Sequence, residues 1–231
     1  MKTVEEYLAG QTLLIDKPLT WSSFQAVNKI KLALKSRFNL RKLKVGHAGT
    51  LDPLATGLLV ICIGKDTKKI TNYQGQTKEY TGTITVGGTT PSYDLETEIN
   101  ETFPTDHITE RQIYITNLDF FGEIDQVPPV FSALKKDGQR MYKLARAGEI
   151  IEVDSRKVTI HEFEITRIEL PEIDFRVVCS KGTYIRSLAH DFGKALNSGA
   201  HLSALRRTKI GDFDVQNAIT PEFFGDSLRE K

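Results

Sequence analysis

The chain has 231 residues, of which 39% are hydrophobic and 26% are charged, so it can bury a substantial core in one large domain or two small ones. Lys and Arg together number 31 against 30 Asp and Glu, and this near-zero net charge neither supports nor excludes a nucleic-acid partner. No window approaches the roughly 18 apolar residues of a membrane span, and the N-terminus does not read as a signal peptide, which favours a cytoplasmic protein.

The first predicted elements are a strand and a helix. The apolar run at 13–15 predicts a short buried strand, and Ser22 or Ser23 is a candidate N-cap for the helix that follows. Four apolar residues at helical spacing form one stripe on this helix: Phe24, Val27, Ile30 and Leu34.

The segment from Lys17 to Leu51 contains no acidic residue. Its basic residues are Lys17, Lys29, Lys31, Lys35, Arg37, Arg41, Lys42 and Lys44. A charge run of this kind is often an ordinary solvated face. In a nearly neutral chain it also suits contacts with the phosphates of a nucleic acid, which give salt-dependent affinity without sequence choice.

The segment 45–57 predicts a glycine-rich loop around Asp52. Gly46 and Gly49 allow backbone conformations that other residues avoid, and Pro53 fixes the φ angle after Asp52. Such a loop can aim a side chain out of a rigid turn. An Asp before Pro is also a common turn-capping residue, and local spacing alone favours that role.

Apolar runs predict four further strands, at 58–63, 78–86, 158–165 and 175–179. In the second of these, Tyr80 shares one face with the apolar residues. Cys62 and Cys179 lie within such runs, which indicates buried, reduced thiols. The chain has no Cys-x-x-Cys or Cys/His cluster, so neither a zinc site nor any other metal site is expected.

The segment at about 122–149 interrupts the core pattern. It combines Pro128-Pro129 with a basic and aromatic helix that carries Arg140, Tyr142 and Arg146. This composition suits base stacking and phosphate contact, although an ordinary surface hairpin and helix would look similar. Because strands and helices interleave without a regular βαβ rhythm, the fold class is predicted as α+β with a largely antiparallel sheet.

Several catalytic classes lack their motifs: the chain has no phosphate-binding P-loop, no serine-hydrolase elbow and no dinucleotide fingerprint. Six segments carry motifs in a definite order, at 14–18 with Ser22 and Ser23, at 46–59, at 78–80, at 126–135 followed by Gly138, Tyr142, Ala145 and Arg146, at 179–186, and at 205–207. Together they resemble the TruB family, the bacterial tRNA pseudouridine-55 synthases, over roughly residues 12–220. The resemblance implies the pseudouridine synthase fold, with helices flanking a mixed, mainly antiparallel central sheet and an inserted RNA-gripping loop at 122–149.

The resemblance also implies the catalytic residues. Asp52 matches the catalytic aspartate of the family, Tyr80 the tyrosine that stacks on the target uracil, and Arg186 the arginine that ion-pairs with the aspartate. From local pattern alone, a core strand tyrosine is the better interpretation of Tyr80, and Arg186 could be a helix-surface arginine. An arginine in the first turn of a helix is mildly disfavoured by the helix dipole. A buried carboxylate partner would explain why Arg186 stands at such a position.

Five further residues are predicted to bind the substrate. By resemblance, His47 helps to accommodate the flipped-out nucleotide, Tyr184 is a second active-site tyrosine, and Lys17 lies near the site. Lys135 and Arg146 belong to the basic residues of the gripping loop that are candidates for phosphate contacts.

The implied reaction breaks the N1–C1′ bond of a uridine, rotates the uracil and joins its C5 to C1′. As an isomerisation it requires no cofactor or metal. A carboxylate suits the positive charge that develops at C1′, as in retaining glycosidases, or it could remove the C2′ proton to form a glycal. The base must first be flipped out of folded RNA, which costs a few kcal/mol.

The domain organisation is predicted as a single catalytic domain over 1–231, without the C-terminal PUA-like domain of many relatives. The predicted partner is the T stem-loop of tRNA, modified at position 55 by a monomer that needs no protein partner and no membrane. Two alternatives stay open: the catalytic subunit of an RNA-guided pseudouridylase, and a tRNA-folding chaperone that works without catalysis.

Overall fold

A computed structural model of the chain describes residues 2–136, 138–149 and 151–229. The predicted domain also contains residues 1, 150, 230 and 231, and the predicted gripping loop contains residue 137, which lie outside the described residues. The chain forms two compact units. The first comprises Met1–Tyr80 and Leu205–Lys231, and the second comprises Thr81–Ala204.

The helices and strands are numbered in chain order. The described α-helices are α1 (Val4–Ala9), α2 (Ser23–Arg37), α3 (Ile70–Gly75), α4 (Glu110–Leu118), α5 (Met141–Arg146), α6 (Ile185–Ala195) and α7 (Pro221–Ser227), with 3-10 turns at Gly64–Lys69 and Val215–Asn217. The described strands are β1 (Gln11–Lys17), β2 (Val45–His47), β3 (Ala55–Ile63), β4 (Lys78–Val86), β5 (Gly88–Thr89), β6 (Glu101–Thr102), β7 (Gly122–Gln126), β8 (Lys135–Lys136), β9 (Gln139–Arg140), β10 (Arg156–Glu169), β11 (Glu172–Cys179), β12 (Ala200–Ile210) and β13 (Phe213–Asp214).

Strand β3 organises the first unit. Its residues 57–63 pair antiparallel with the whole of β1, its residues 61–63 pair antiparallel with β2, and its residues 55–57 pair parallel with residues 205–207 of β12. Alternate residues of β3 enter two hydrophobic clusters: Leu59, Ile61 and Ile63 pack with α2 and α7, whereas Leu58, Val60 and Cys62 pack with Ile210. Because both faces of β3 are covered, the strand reads as one continuous apolar run.

Helix α2 begins with a capping box, in which the Ser22 hydroxyl accepts a hydrogen bond from the Gln25 amide. Of the predicted stripe, Val27, Ile30 and Leu34 are buried in the core, as expected. Phe24 is 72% exposed, so its predicted place in the stripe is wrong. In the first turn of the helix the buried position belongs to its neighbour Ser23, whose hydroxyl binds the loop that precedes Asp52.

The sheet of the second unit places β4, β11, β10 and β7 side by side. Strands β10 and β11 form a long antiparallel hairpin, and β7 pairs antiparallel with the start of β10. Four aromatic rings pack mostly edge-to-face in its core, on Phe120, Phe163, Phe175 and Phe192. Most described strand pairs are antiparallel, which confirms the predicted α+β class with a mainly antiparallel sheet.

The segment 122–149 leaves the sheet after β7. It continues through the short hairpin of β8 and β9 into α5. Its apolar anchor is Met141, which is buried, whereas Lys135, Lys136 and Arg140 are exposed. The described part of this segment is therefore a hairpin and a helix with a basic surface. Its mobility and its grip on RNA stay predictions.

The cysteines and the helices bear on two expectations from the composition, buried thiols and the absence of a membrane span. Neither Cys62 nor Cys179 forms a disulfide and both are buried, which confirms the interpretation of both as buried, reduced thiols. Among the described helices, none has the length and apolar character required to cross a bilayer.

Candidate active site

Asp52 lies in the loop between β2 and β3, within the first unit. Gly49 adopts a φ of +95°, a conformation that residues with a Cβ rarely reach, so this glycine is needed for the turn. The amide of Ala48 donates to the carbonyl of Val60, and the amide of Ala55 donates to the carbonyl of Asp52 at 3.1 Å. The loop is thus tied at both ends to the backbone beside β3, with Asp52 half-buried near its tip.

Ser23 holds the peptide groups directly before Asp52. Its hydroxyl donates to the Leu51 carbonyl at 3.0 Å and accepts from the Leu51 amide at 2.8 Å. Ser23 is only 3% exposed, so both bonds are shielded from water. The first residue of α2 therefore fixes both backbone groups of the residue next to Asp52.

Lys17, at the end of β1, is fully buried. Its ammonium donates to the carbonyls of Pro18 at 2.9 Å, Trp21 at 2.6 Å and Pro53 at 3.5 Å. The loop is consequently held on the far side of Asp52 as well. Each of these partners is a protein carbonyl, and the predicted role of Lys17 in substrate binding stays a prediction.

Burial lowers the pKa of Lys17 to about 8, and the nearby Asp52 carboxylate acts in the opposite direction by favouring the ammonium form. The guanidinium of Arg207 adds to the lowering. Lys17 and Asp52, two of the predicted site residues, therefore interact electrostatically. At neutral pH the ammonium form of Lys17 places positive charge close to the candidate catalytic carboxylate.

His47 and Tyr80 belong to the same unit. His47 ends β2, opposite Ile61 of β3, and burial is the main reason that its pKa is lowered, so its imidazole is neutral at pH 7. Tyr80 is a buried residue of β4. Its burial is compatible with a core tyrosine and with a wall of a pocket, and its predicted stacking on uracil stays a prediction.

Arg186, in the first turn of α6, is 3% exposed, so the interpretation as a helix-surface arginine is wrong. Within the second unit its guanidinium lies 3.6 Å from the carboxylate of Asp94. It also donates to the carbonyls of Ser92 at 3.1 Å and Phe131 at 2.9 Å. The arginine joins the turn at 92–94 to the start of the gripping loop, and a buried carboxylate partner accounts for its place near a helix N-terminus.

Tyr184 immediately precedes α6. Gln126, which is fully buried at the end of β7, donates to the Tyr184 carbonyl at 3.0 Å and accepts from the Tyr184 amide at 2.7 Å. The guanidinium of Arg156 lies 4.6 Å from the centre of the Tyr184 ring. The backbone of this predicted active-site tyrosine is therefore fixed by one glutamine side chain, in the same way that Ser23 fixes Leu51.

The two predicted RNA contacts of the gripping loop are on its surface. Lys135 is exposed on β8, opposite Arg140 of β9. Arg146, on α5, forms an ion pair of 2.5 Å with Glu96 and lies 5.3 Å from the ring centre of Tyr142. An exposed ion pair is weak, so Arg146 can exchange Glu96 for a phosphate at little cost.

The sequence assigned no supporting role to four residues, although the first three lie in its motif segments: Ser23, Gln126, Arg207 and Asp94. Arg207 is the most buried of the large charged residues apart from Lys17 and binds three backbone carbonyls around the Asp52 loop. In the described part of the chain, no three His, Cys, Asp or Glu residues are grouped so that they could hold a metal ion.

The family profile described as "TruB family pseudouridylate synthase (N terminal domain)" matches residues 35–185, and the profile described as "tRNA pseudouridylate synthase B C-terminal domain" matches residues 186–230. The chain is 72% identical to tRNA pseudouridine synthase B of Flavobacterium johnsoniae over 228 residues, which are 98% of this chain and 100% of that protein. It is 52% identical to tRNA pseudouridine synthase B of Phocaeicola vulgatus, over 96% of this chain and 94% of that protein.

Two solved structures are also similar. One is the archaeal box H/ACA sRNP Nop10-Cbf5 complex, with a TM-score of 0.70, 27% identity, and coverage of 99% of this chain and 57% of that chain. The other is an H/ACA RNP bound to a substrate RNA containing 2'-deoxyuridine, with a TM-score of 0.69, 29% identity, and coverage of 97% and 55%. The chain thus spans little more than half of the chains in those complexes. With two matching profiles and relatives matched over nearly their full length, the chain belongs to the TruB family of pseudouridylate synthases, isomerases that act on tRNA, as its motifs predict.

Proposed function

We propose that this chain converts uridine to pseudouridine at position 55 in the T loop of tRNA, with Asp52 as the catalytic carboxylate on a flipped-out uridine. The observation that carries the proposal is the fixed backbone around Asp52. Ser23 binds both backbone groups of Leu51, and Lys17 binds the carbonyl of Pro53, so the backbone of the residue on either side of Asp52 is held by a buried side chain. A loop that only turns the chain has no need for such restraint.

In the proposed reaction the Asp52 carboxylate faces C1′ of the target nucleotide as the N1–C1′ bond breaks. It either attacks C1′ as N1 leaves, or removes the C2′ proton to form a glycal. In the first route C5 of the rotated uracil displaces the carboxylate from C1′, and in the second C5 bonds to C1′ as the carboxylate returns the proton to C2′. In both routes C5 then loses its own proton. No atom is gained or lost overall, because N1 takes up a proton as C5 releases one. Tyr80 and Tyr184 are proposed to contact the uracil, and Arg186 to favour the ionised form of the catalytic carboxylate.

RNA binding is assigned in this proposal to Lys135, Arg146 and the basic residues of 29–44, with His47 accommodating the flipped nucleotide. The exposed position of the first two supports the assignment. The enzyme is proposed to work in the cytoplasm as a monomer. Since phosphate contacts release bound counterions, the affinity for a T stem-loop should fall steeply as salt rises, and a flat response would contradict this assignment.

The test of the catalytic role compares wild type, Asp52→Asn and Asp16→Asn in single-turnover reactions on a T stem-loop RNA labelled with tritium at C5 of the target uridine. We expect Asp52→Asn to lower the rate of tritium release by more than about 10⁴-fold, because it removes a group that acts directly on the reacting atoms. Asp16→Asn is the matched control, since Asp16 is a carboxylate of the same unit that pairs with Arg206. Full activity of Asp52→Asn would refute the proposal.

A second candidate function is that of a catalytic subunit in an RNA-guided pseudouridylase. It is favoured by the likeness to the protein chain of the H/ACA complexes, which contain partner proteins or RNA. The two functions differ in what they require. If the purified chain alone modifies a T stem-loop, no guide or partner is needed, whereas activity only with added RNA and protein would favour the second function. RNA refolding that is equally fast with Asp52→Asn would point to an additional chaperone activity.

A further inference from the structure

Arg207, on β12 in the first unit, is 1% exposed and directs its guanidinium to three backbone carbonyls. Its Nε donates to the carbonyl of Leu58 at 2.8 Å, its Nη2 to that of Gly49 at 3.1 Å, and its Nη1 to that of Thr50 at 3.4 Å. Leu58 belongs to β3, and the other two carbonyls belong to the Asp52 loop. One planar side chain therefore links the loop to the strand that follows it.

The placement of Arg207 has an energetic consequence. A buried cation loses its hydration, and hydrogen bonds to neutral carbonyls replace only part of it. The cost is increased by Lys17, whose pKa is lowered in part by the positive charge of Arg207. A core with an apolar residue at this position would avoid both costs, so stability alone does not account for two buried cations beside the Asp52 loop.

Arginine has the geometry that this position requires. Its donors are fixed in one plane, so three carbonyls that accept from it are fixed relative to one another. With Ser23 bound to Leu51 and Lys17 bound to Pro53, the backbone is held at residues 49, 50, 51 and 53. Asp52 lies within this restrained run, so its backbone position is set by its neighbours.

We propose that Arg207 is a positioning residue for the reaction: by binding the carbonyls of Gly49 and Thr50 it sets the direction of the Asp52 carboxylate toward C1′ of the target uridine. This inference rests on the proposed catalytic role of Asp52. Arg207 acts through the loop backbone and has no contact with RNA in this role. Its loss should therefore slow the chemical step and leave RNA affinity unchanged.

The neighbouring residue is a matched control. Arg206 is the preceding residue of the same strand, is partly exposed, and binds the carboxylate of Asp16 and the hydroxyl of Thr56. It has the same side chain but does not bind the Asp52 loop. Replacing each arginine by methionine removes the same charge and keeps a similar length, so the comparison isolates the contacts with the loop.

The experiment measures the single-turnover rate and the Kd for a T stem-loop RNA in wild type, Arg207→Met, Arg207→Lys, Arg206→Met and Asp52→Asn. Folding of each variant is checked by circular dichroism. For Arg207→Met we expect a rate about 100-fold or more below wild type with a Kd close to that of wild type, since small misplacement of a reacting group has an effect of this size. Arg207→Lys should recover part of the rate, because an ammonium keeps the charge and some of the carbonyl contacts, and Arg206→Met should react nearly as fast as wild type.

Equal single-turnover rates for Arg206→Met and Arg207→Met would overturn the inference. A loss of activity in Arg207→Met that is fully explained by weaker RNA binding, measured as a higher Kd, would overturn it as well. If Arg207→Met does not fold, the result for Arg207→Lys decides. A folded Arg207→Lys variant that reacts at the wild-type rate overturns the inference. Failure of both variants to fold also overturns it, because Arg207 would then be needed for folding itself. Full activity of Asp52→Asn would remove the proposed function. An inactive Asp52→Asn beside a fully active Arg207→Met would remove the positioning role alone.

Discussion

The clamp that Ser23 places on Leu51 leads to a quantitative prediction for stability. In Ser23→Ala the amide and the carbonyl of Leu51 both lose their partner in a site that water does not reach, since Ser23 is 3% exposed and Leu51 equally so. An unsatisfied buried donor or acceptor costs roughly 1–3 kcal/mol, which gives about 2–6 kcal/mol for the pair. Alanine recovers about 0.5 kcal/mol through its higher helix propensity, so we expect a net loss of about 3–4 kcal/mol.

Urea unfolding of wild type, Ser23→Ala and Ser22→Ala measures this effect, with fluorescence of Trp21, the single tryptophan, as a local signal. Ser22 is the N-cap of the same helix, and its replacement should lower the unfolding free energy by about 1 kcal/mol. The reasoning requires the larger loss at Ser23 with an unchanged m-value. If Ser23→Ala loses no more than Ser22→Ala, the two hydrogen bonds to Leu51 do not hold the loop as argued.

Three further predictions concern other restraints in the two units. Gln126→Leu frees both backbone groups of Tyr184, so we expect a lower single-turnover rate on T stem-loop RNA with little change in RNA affinity. The pKa of Lys17 is about 8 in the fold and roughly 10.4 in an unfolded chain. Between these values the unfolded chain binds more protons, so the unfolding free energy of wild type should rise with pH relative to Lys17→Met, by up to about 3 kcal/mol. Gly57→Ala should destabilise the protein strongly in thermal unfolding, because Gly57 has a φ of +100° and a Cβ there would lie 2.3 Å from the backbone of β12.

Each of these predictions has a control. For Gln126, the surface change Gln74→Leu on α3 should leave the rate nearly unchanged. For Lys17, the difference in unfolding free energy between wild type and Lys17→Met should be constant below pH 7. A difference that stays constant up to pH 10 would contradict the lowered pKa of Lys17. For Gly57, the comparison is Gly75→Ala, since no atom lies within 4 Å of a Cβ at Gly75, and equal melting temperatures of the two variants would contradict the steric argument.

The sequence predicts the fold, which is confirmed, and the candidate site residues, because both leave local signals. The apolar run of β3, the alternation of β4 and the core stripe of α2 are periodic, and the motifs around Asp52 and Arg186 are contiguous. Phe24 has the helical spacing of the core stripe but is exposed. The spacing of apolar residues does not indicate whether another element covers the first turn of a helix. In that turn the buried residue is Ser23, whose hydroxyl accepts a hydrogen bond from the Leu51 amide of the Asp52 loop.

The supporting residues could not be identified in the same way. Ser23 and Arg207 bind backbone groups that are 28 and about 150 residues away, and such bonds impose no pattern on the sequence between them. Asp94 lies among Thr and Ser residues, where an acid usually serves a turn, and in the fold it pairs with Arg186. One signal was available for Arg207. Consecutive residues of a strand face opposite sides of the sheet, so Arg206 and Arg207 cannot both point to solvent in a sheet that is covered on one side. Arg207 is the one that is buried.

The division of the first unit into Met1–Tyr80 and Leu205–Lys231 has a consequence for biosynthesis. A ribosome makes the segment with Asp52 early and the strand with Arg207 only after about 120 further residues, a delay of roughly 6 to 25 seconds at ordinary rates of protein synthesis. During that interval the nascent chain lacks the guanidinium for Gly49 and Thr50 and the α7 side chains that complete the core around α2. The Asp52 loop reaches its final form only when β12 and α7 have been synthesised.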